Sequence, residues 1–188
     1  MKQIIVLNWM PWCWKSTVWK TLSKKIWYTY YDLDDLILSY ILKNFLISTI
    51  SEFVWKYWWD EFRFLESKLL KNLIKNLNSV SVISLWWGTI SCINNIYLVE
   101  NSELLKKSNV EIFYLDTKID DIVYRVQNDK KTNDNRPIID SNLDIKSDIL
   151  QRYNQRKSNY LKYSTHIIDN SSLENSILEI TKKIRATF

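Results

Sequence analysis

Glycine and alanine are nearly missing from this chain of 188 residues, which has one of each, Gly88 and Ala186. An average glycine share of ~7% would give about 13 glycines in this length. Proline and cysteine occur twice each, which excludes a collagen-like chain and a disulfide scaffold. Apolar residues make up 46% and charged residues 25%, so we expect a globular chain with a hydrophobic core.

Long hydrophobic runs and blocks of like charge are missing too. The longest apolar stretch, 36–50, is interrupted by Ser39, Lys43 and Asn44 and is too short to span a bilayer. The net charge of +5 is scattered, which fits an anionic small molecule, nucleic acid or a solvated surface equally well. With no signal peptide and few cysteines, we expect a cytoplasmic protein.

Short apolar runs alternate with segments of helical periodicity. The predicted strands are 3–8, 28–31, 80–85, 109–115 and 166–169. The predicted helices are 17–26, 33–57 as one or two helices, 60–77, 119–127, 144–161 and 173–185. This alternation predicts an α/β fold with a mostly parallel sheet of five strands, in a single domain over 1–188.

Tryptophan, with ten copies, is as abundant as glycine is scarce. Trp9, Trp12 and Trp14 stand between the first predicted strand and the sequence Lys15-Ser-Thr. With glycine in their place, the segment would read G-x-x-G-x-G-K-S-T, a phosphate-binding loop between strand and helix. That loop needs glycine because its backbone adopts positive φ and its N–H groups approach phosphate oxygens. Tryptophan disfavours that backbone, and its indole would fill the phosphate site.

The composition offers an explanation for these tryptophans. Glycine, alanine and proline are scarce while lysine, asparagine and isoleucine abound, as in an AT-rich coding sequence, and such a gene should be poor in the usual tryptophan codon. We therefore hypothesise that the ten tryptophan positions are encoded by UGA. The organism would read UGA as glycine, whereas the written sequence was translated with tryptophan at these codons. The alternatives are a chance helix start at Lys15, or a genuine tryptophan-rich structural or interaction protein that has lost phosphate binding.

Further motifs follow along the chain. They are Asp32-Leu-Asp34, Phe62-Arg63-x-x-Glu66, Trp86-Trp87-Gly88, Arg136-Pro137 and Arg156-x-x-x-Tyr160. In this order they resemble the D-x-D, F-R-x-x-E, G-G-G, R-P and R-x-x-x-Y elements of shikimate kinase, with glycines written as tryptophan. The resemblance extends over essentially the whole chain. It implies a P-loop kinase fold with a substrate-binding helical region at about 33–78 and a lid at about 128–140.

The resemblance also implies an activity, which is transfer of the γ-phosphoryl group of ATP to the 3-hydroxyl of shikimate. ATP and Mg²⁺ are the implied cofactors, and the implied enzyme is a monomer with no nucleic-acid or membrane partner. A kinase for another small hydroxylated acid, such as gluconate, is the enzymatic alternative. Gluconate would be favoured if Arg63 and Arg156 failed to converge on one pocket.

Residue roles follow from the same resemblance. The phosphate-binding segment is Trp12, Cys13, Trp14, Lys15, Ser16 and Thr17, with Lys15 reaching the β- and γ-phosphates. Arg125 is assigned to the adenine and Arg136 to the transferring phosphoryl group, whereas a plain loop arginine is the alternative for Arg136. Ser16 and Asp32 are assigned to Mg²⁺.

The acceptor side of the implied site has its own set of residues. Asp34 is assigned to the attacking hydroxyl as orienting group or base, and Arg63 and Arg156 to the carboxylate, which guanidinium groups bind by paired hydrogen bonds. The segment 86–88 (Trp86, Trp87 and Gly88), as three glycines, would let the backbone approach the substrate ring. Two alternatives remain open: the aspartate pair as a helix N-cap, and Arg63 with Glu66 as a surface ion pair.

Overall fold

A computed structural model describes residues 4–10, 15–92, 94–108, 110–128 and 144–187. Its strands are β1 (Ile4–Trp9), β2 (Thr29–Asp32), β3 (Ser81–Ser84), β4 (Val110–Asp116) and β5 (His166–Asp169). They pair in parallel in the order β2-β3-β1-β4-β5. The predicted five-stranded parallel sheet is therefore confirmed.

Helices connect the strands and cover both faces of the sheet. They are α1 (Lys15–Ile26), α2 (Leu33–Phe45), α3 (Ile50–Asn76), α4 (Leu98–Lys107), α5 (Ile119–Asn128), α6 (Ile145–Tyr163) and α7 (Leu173–Thr187). The sequence prediction missed α4. Two of the four buried residues of α4 are apolar, Leu98 and Leu105, and two are polar, Asn101 and Ser102. The helix therefore lacks the apolar periodicity that indicates a helix in a sequence.

Two hydrophobic cores lie on the two faces of the sheet. In β1, Ile4 and Val6 belong to the core that includes α2 and α3, whereas Ile5 and Leu7 belong to the core that includes α1 and α7. Side chains alternate along a strand, so a run of apolar residues such as β1 serves both faces. Across the described ranges no single helix is long and apolar enough to cross a membrane. Only α2 and α3 taken together have the required length and composition, and these two helices are bent by 87° relative to each other.

Two tryptophans have a backbone conformation that favours glycine. Trp58 interrupts α3 with φ 67° and ψ 168°, a region that is essentially confined to glycine. Trp27 follows the last residue of α1 with φ 56°, at the position where glycine commonly ends a helix. Both side chains are largely exposed, so their contacts offer little to offset the strain. Leu46, after α2, is the third positive-φ residue in the described ranges.

The break at Trp58 leads to a stability prediction. We expect Trp58→Gly to raise the free energy of unfolding by about 1–2 kcal/mol, because it removes the backbone strain. Trp58→Ala keeps a Cβ and should give none of this gain. Trp55→Gly is the matched control, because Trp55 is equally exposed on the same helix but has helical backbone angles. It should cost about 0.5 kcal/mol.

Urea unfolding followed by far-ultraviolet circular dichroism measures all three variants. A Trp58→Gly variant less stable than the parent chain would contradict the strain argument.

Candidate active site

The carboxyl ends of three neighbouring strands form the edge where the predicted site residues lie. The last residue of β2, Asp32, is in register with Ser84, the last residue of β3, and Ser84 is also in register with Leu7 of β1. In open parallel α/β sheets, ligands bind outside this edge. The segments that follow β1, β2 and β3 therefore meet at one place.

The predicted phosphate loop lies only partly within the described residues. Trp12, Cys13 and Trp14 lie outside them, and of Lys15 and Ser16 only the backbone is described, at the start of α1. The first N–H groups of a helix lack intrahelical partners and carry the positive end of its dipole. The chain after β1 thus presents a helix N-terminus at the ligand-binding edge, as an anion-binding loop requires.

Asp32 caps helix α2. Its Oδ1 accepts the backbone N–H of Asp34 at 3.0 Å, and its Oδ2 accepts the hydroxyl of Tyr30 at 2.7 Å. Asp32 is thus the N-cap of α2, and its assignment to Mg²⁺ stays a prediction. Asp34 lies in the first turn of α2, beside the same strand end.

Tyr30 holds the Asp32 carboxylate from the side of the strand. Burial raises the pKa of Tyr30 well above its ordinary value, and the nearby charge of Asp32 raises it further. The phenol therefore stays protonated and remains a donor to Asp32 throughout the physiological range. Sequence reasoning missed this contact, although residues two apart on a strand share a face.

Arg63 and Glu66 form a buried ion pair on α3. Nη1 of Arg63 donates to Oε2 of Glu66 at 2.7 Å, and the two side chains are 6% and 0% exposed. The surface ion-pair alternative is therefore wrong. Gly88 packs against the same guanidinium, since a Cβ at position 88 would lie 2.5 Å from Nη2 of Arg63. Arg63 and the backbone at Gly88 thus line one wall of the site.

Arg156 is a buried cation on α6 with unused hydrogen-bonding capacity. Its Nη1 has no hydrogen-bond partner in the described part of the chain. Burial lowers the pKa of Arg156. A buried, charged N–H without an acceptor is costly, so this guanidinium favours an anionic ligand.

The two arginines converge on segment 86–88. The guanidinium of Arg63 packs against Gly88, and that of Arg156 lies over the ring of the adjacent Trp87. Tyr160, one turn along α6 from Arg156, donates its hydroxyl to the carbonyl of Trp87 at 2.8 Å, which ties the helix to this segment. The condition that would have favoured gluconate, two arginines pointing to different places, is not met.

Indoles crowd this pocket. The guanidinium carbon of Arg156 lies 3.6 Å from the ring centroid of Trp87, so the indole stacks where an anion would approach. Trp86 is buried against Phe62, with ring centroids 5.3 Å apart, and its Nε1 has no hydrogen-bond partner among the described residues. Glycine at 86 and 87 would remove both indoles and open the space before Arg156.

Two further arginines were predicted for the nucleotide side of the site. Arg136 lies outside the described residues, as does most of the predicted lid at about 128–140. Arg125 lies in the last turn of α5, half-buried. The roles of both stay predictions.

Sequence reasoning also missed a buried polar network behind segment 86–88. Thr89 donates its hydroxyl to Oε1 of Glu66 at 2.6 Å. Asn95 and Asn101 donate from Nδ2 to the carbonyl of Thr89 at 3.1 and 3.2 Å. These polar residues lie where no apolar periodicity marked an element, and their burial is visible only in the fold.

Known structures share this architecture. Shikimate kinase from Bacteroides thetaiotaomicron is similar with a TM-score of 0.76 and 21% identity, over 98% of each chain. Shikimate kinase from Acinetobacter baumannii, solved in complex with shikimate, has a TM-score of 0.76 and 20% identity, over 100% of this chain and 94% of the other. The Aquifex aeolicus enzyme has a TM-score of 0.69 and 20% identity, over 98% and 97%. At these identities the likeness shows the fold.

Sequence comparison identifies the family. No protein of curated function matches the chain significantly. The sequence model of one family, described as shikimate kinase, matches residues 13–186, which is nearly the whole chain. The chain therefore belongs to the shikimate kinase family.

Proposed function

We propose that Arg63 and Arg156 together bind the carboxylate of shikimate. As a member of the shikimate kinase family, the protein is an ATP-dependent kinase that phosphorylates shikimate. The observation that carries the proposal is the buried Nη1 of Arg156, which lacks a partner among the described residues and belongs to a guanidinium lying over Trp87, next to the Gly88 that packs against Arg63. A carboxylate between two guanidinium groups would neutralise their repulsion and accept the unused N–H.

The acceptor hydroxyl is proposed to lie at Asp34. This residue stands at the start of α2, at the carboxyl end of β2, on the same edge of the sheet as segment 86–88. A carboxylate there can orient the 3-hydroxyl of shikimate and accept its proton as the new oxygen–phosphorus bond forms. The backbone of 86–88, with glycine at each position, would form the floor under the ring.

The nucleotide is proposed to bind over the start of α1. Backbone N–H groups of the segment Trp12 to Thr17, as glycines at 12 and 14, would surround the phosphates, and Lys15 would neutralise the β- and γ-phosphates. Arg136 is proposed to stabilise the charge of the transferring phosphoryl group and Arg125 to lie against the adenine. We also propose a monomeric, cytoplasmic enzyme.

Mg²⁺ fits the proposed donor set of a serine hydroxyl and a carboxylate. Mg²⁺ prefers hard oxygen ligands and usually keeps several waters while it bridges substrate phosphates. Among the described residues no group of three or more histidine, cysteine or acidic side chains forms a metal cage. Ser16 and Asp32 are the residues that would hold it. When bound, Mg²⁺ would neutralise charge on the phosphates.

An acceptor panel tests the proposed function. We define the glycine form as the full chain with glycine at all ten tryptophan positions. With ATP and Mg²⁺, its kcat/KM for shikimate should exceed that for gluconate by at least roughly 100-fold, because a flexible open-chain acid cannot place carboxylate and hydroxyl together at equal cost. The assay couples ADP release to NADH oxidation, and ³¹P NMR identifies the product.

Two outcomes would contradict the proposal. A preference for gluconate would mean that the acceptor is not shikimate, while the proposed binding of ATP at the phosphate loop would still hold. A folded glycine form that binds neither ATP nor shikimate would favour the tryptophan-rich binding protein instead.

A further inference from the structure

Thr89 is a fully buried residue directly after Gly88. Its hydroxyl lies 2.6 Å from Oε1 of Glu66 and 2.8 Å from the carbonyl of Trp86, which also accepts the Thr89 backbone N–H at 3.0 Å. A hydroxyl has one hydrogen to donate, and an ionised carboxylate is the stronger acceptor. The hydroxyl therefore donates its hydrogen bond chiefly to Glu66.

Glu66 connects Thr89 to Arg63. One carboxylate oxygen accepts the hydroxyl of Thr89, and the other accepts Nη1 of Arg63 at 2.7 Å. The terminal torsion of a glutamate is soft, so a single donor would leave the carboxylate plane poorly defined. Donors on both oxygens fix that plane, and the carboxylate in turn fixes the guanidinium, whose Nη2 faces Gly88.

The turn that carries Thr89 is held independently of its hydroxyl. Asn95 and Asn101 both donate to the Thr89 carbonyl, and Asn95 also donates to the carbonyl of Gly88 at 3.2 Å. Removing only the hydroxyl leaves these backbone contacts intact. An effect on Arg63 can therefore be separated from an effect on the turn.

We propose that Thr89 is a positioning residue that sets the affinity for the acceptor carboxylate by holding Glu66, and through it Arg63, in the binding orientation. The inference rests on the proposed function, in which Arg63 binds that carboxylate. Without the hydroxyl, Oε1 of a buried carboxylate loses its donor, and Glu66 then competes with the substrate for the remaining N–H groups of Arg63. Nucleotide binding and the phosphoryl-transfer step do not involve Thr89.

Thr89→Val in the glycine form tests the proposal, because valine has nearly the same shape but no hydroxyl. We expect KM for shikimate, and the dissociation constant from calorimetry, to rise roughly tenfold, with kcat and KM for ATP within about twofold of the parent. Thr89→Ala also removes the hydroxyl and should give the same result. It replaces Thr89→Val as the test if valine packs poorly at this position. Thr89→Ser keeps the hydroxyl and should restore shikimate affinity to within about threefold of the parent.

The carboxamide of shikimate supplies a readout that a general disturbance of the fold would not move. The carboxamide lacks the negative charge that Arg63 binds. Its KM should therefore be nearly the same in Thr89→Val as in the parent, whereas the KM for shikimate rises. An unchanged KM for shikimate in Thr89→Val would overturn the inference alone. So would equal losses for both acceptors, or a Thr89→Ser variant as weak as Thr89→Val. A glycine form that binds ATP but neither binds nor phosphorylates shikimate would overturn the proposed function and this inference with it.

Discussion

Only the form with glycine at all ten tryptophan positions, which the codon hypothesis takes as the natural protein, is expected to phosphorylate shikimate. The chain with tryptophan should give no ADP release above background and no calorimetric signal with ATP. The glycine form should turn over at a rate ordinary for a small-molecule kinase, about 1–100 per second. The reason is steric, since the sequence has tryptophan where a phosphate loop needs glycine, and Trp87 stacks on Arg156.

The structure separates the tryptophans by what each one does. Trp58 and Trp27 strain the backbone, Trp87 stacks on Arg156, and Trp19 and Trp86 are buried with no hydrogen-bond partner for Nε1 in the described part of the chain. A buried indole N–H usually finds an acceptor. Trp19, Trp27, Trp58 and Trp86 therefore carry structural costs that glycine would not, whereas Trp87 occupies the place before Arg156 that an anion would take.

Two partial variants locate the effect. Glycine at 9, 12, 14, 86 and 87 alone should give ATP binding and shikimate turnover. Glycine at 19, 27, 55, 58 and 59 alone should leave the chain inactive, because the phosphate loop and pocket stay blocked. Mass spectrometry of the protein from its source organism is the independent check on the codon hypothesis. Ordinary ATP affinity in the tryptophan chain would contradict the steric argument.

The sequence predicted the fold well because its signals are local. Buried parallel strands appear as continuous apolar runs, as in β1, and their alternation with helical periodicity indicates an α/β sheet. The position of Asp32 and Asp34 at the carboxyl end of β2 also followed from local pattern. The break in α3 at Trp58 agrees with a separate helix predicted from 60.

What the sequence could not predict depends on burial. Arg63 and Glu66 have the same spacing whether the pair is exposed or buried, and only the packing of α3 against segment 86–88 decides which. Thr89 could not be recognised because its partner Glu66 is 23 residues away. Such contacts between distant segments leave no periodicity in either one.

Arg156→Lys in the glycine form is expected to weaken shikimate binding by about 100-fold. Lysine keeps the charge but offers a single ammonium in place of the planar fork that binds a carboxylate through two parallel hydrogen bonds. The dissociation constant from calorimetry and KM for shikimate should rise together, while KM for ATP stays unchanged. Initial rates at saturating shikimate show how much of the loss lies in kcat.

Arg152→Lys is the matched control. Arg152 lies one turn away on α6, but its Nε is already paired with Oδ2 of Asp148 at 2.7 Å and its guanidinium lies 5.9 Å from the Trp87 ring centroid. This variant should change shikimate affinity by no more than about threefold, as expected for a partly exposed ion pair. Equal losses in the two variants would mean that the general positive charge of α6, rather than Arg156, binds the acid.

Thermal stability distinguishes a binding role for Arg156 from a structural one. Nη1 of Arg156 makes no hydrogen bond in the described part of the chain and lysine keeps the charge, so Arg156→Lys should leave the melting temperature of the unliganded protein nearly unchanged. Saturating shikimate should raise the melting temperature of the parent and have little effect on the variant, because a ligand stabilises only the state that binds it. A variant that melts well below the parent without ligand would instead make Arg156 a structural residue. A side chain that the unliganded fold does not need and the ligand does need is one that serves binding.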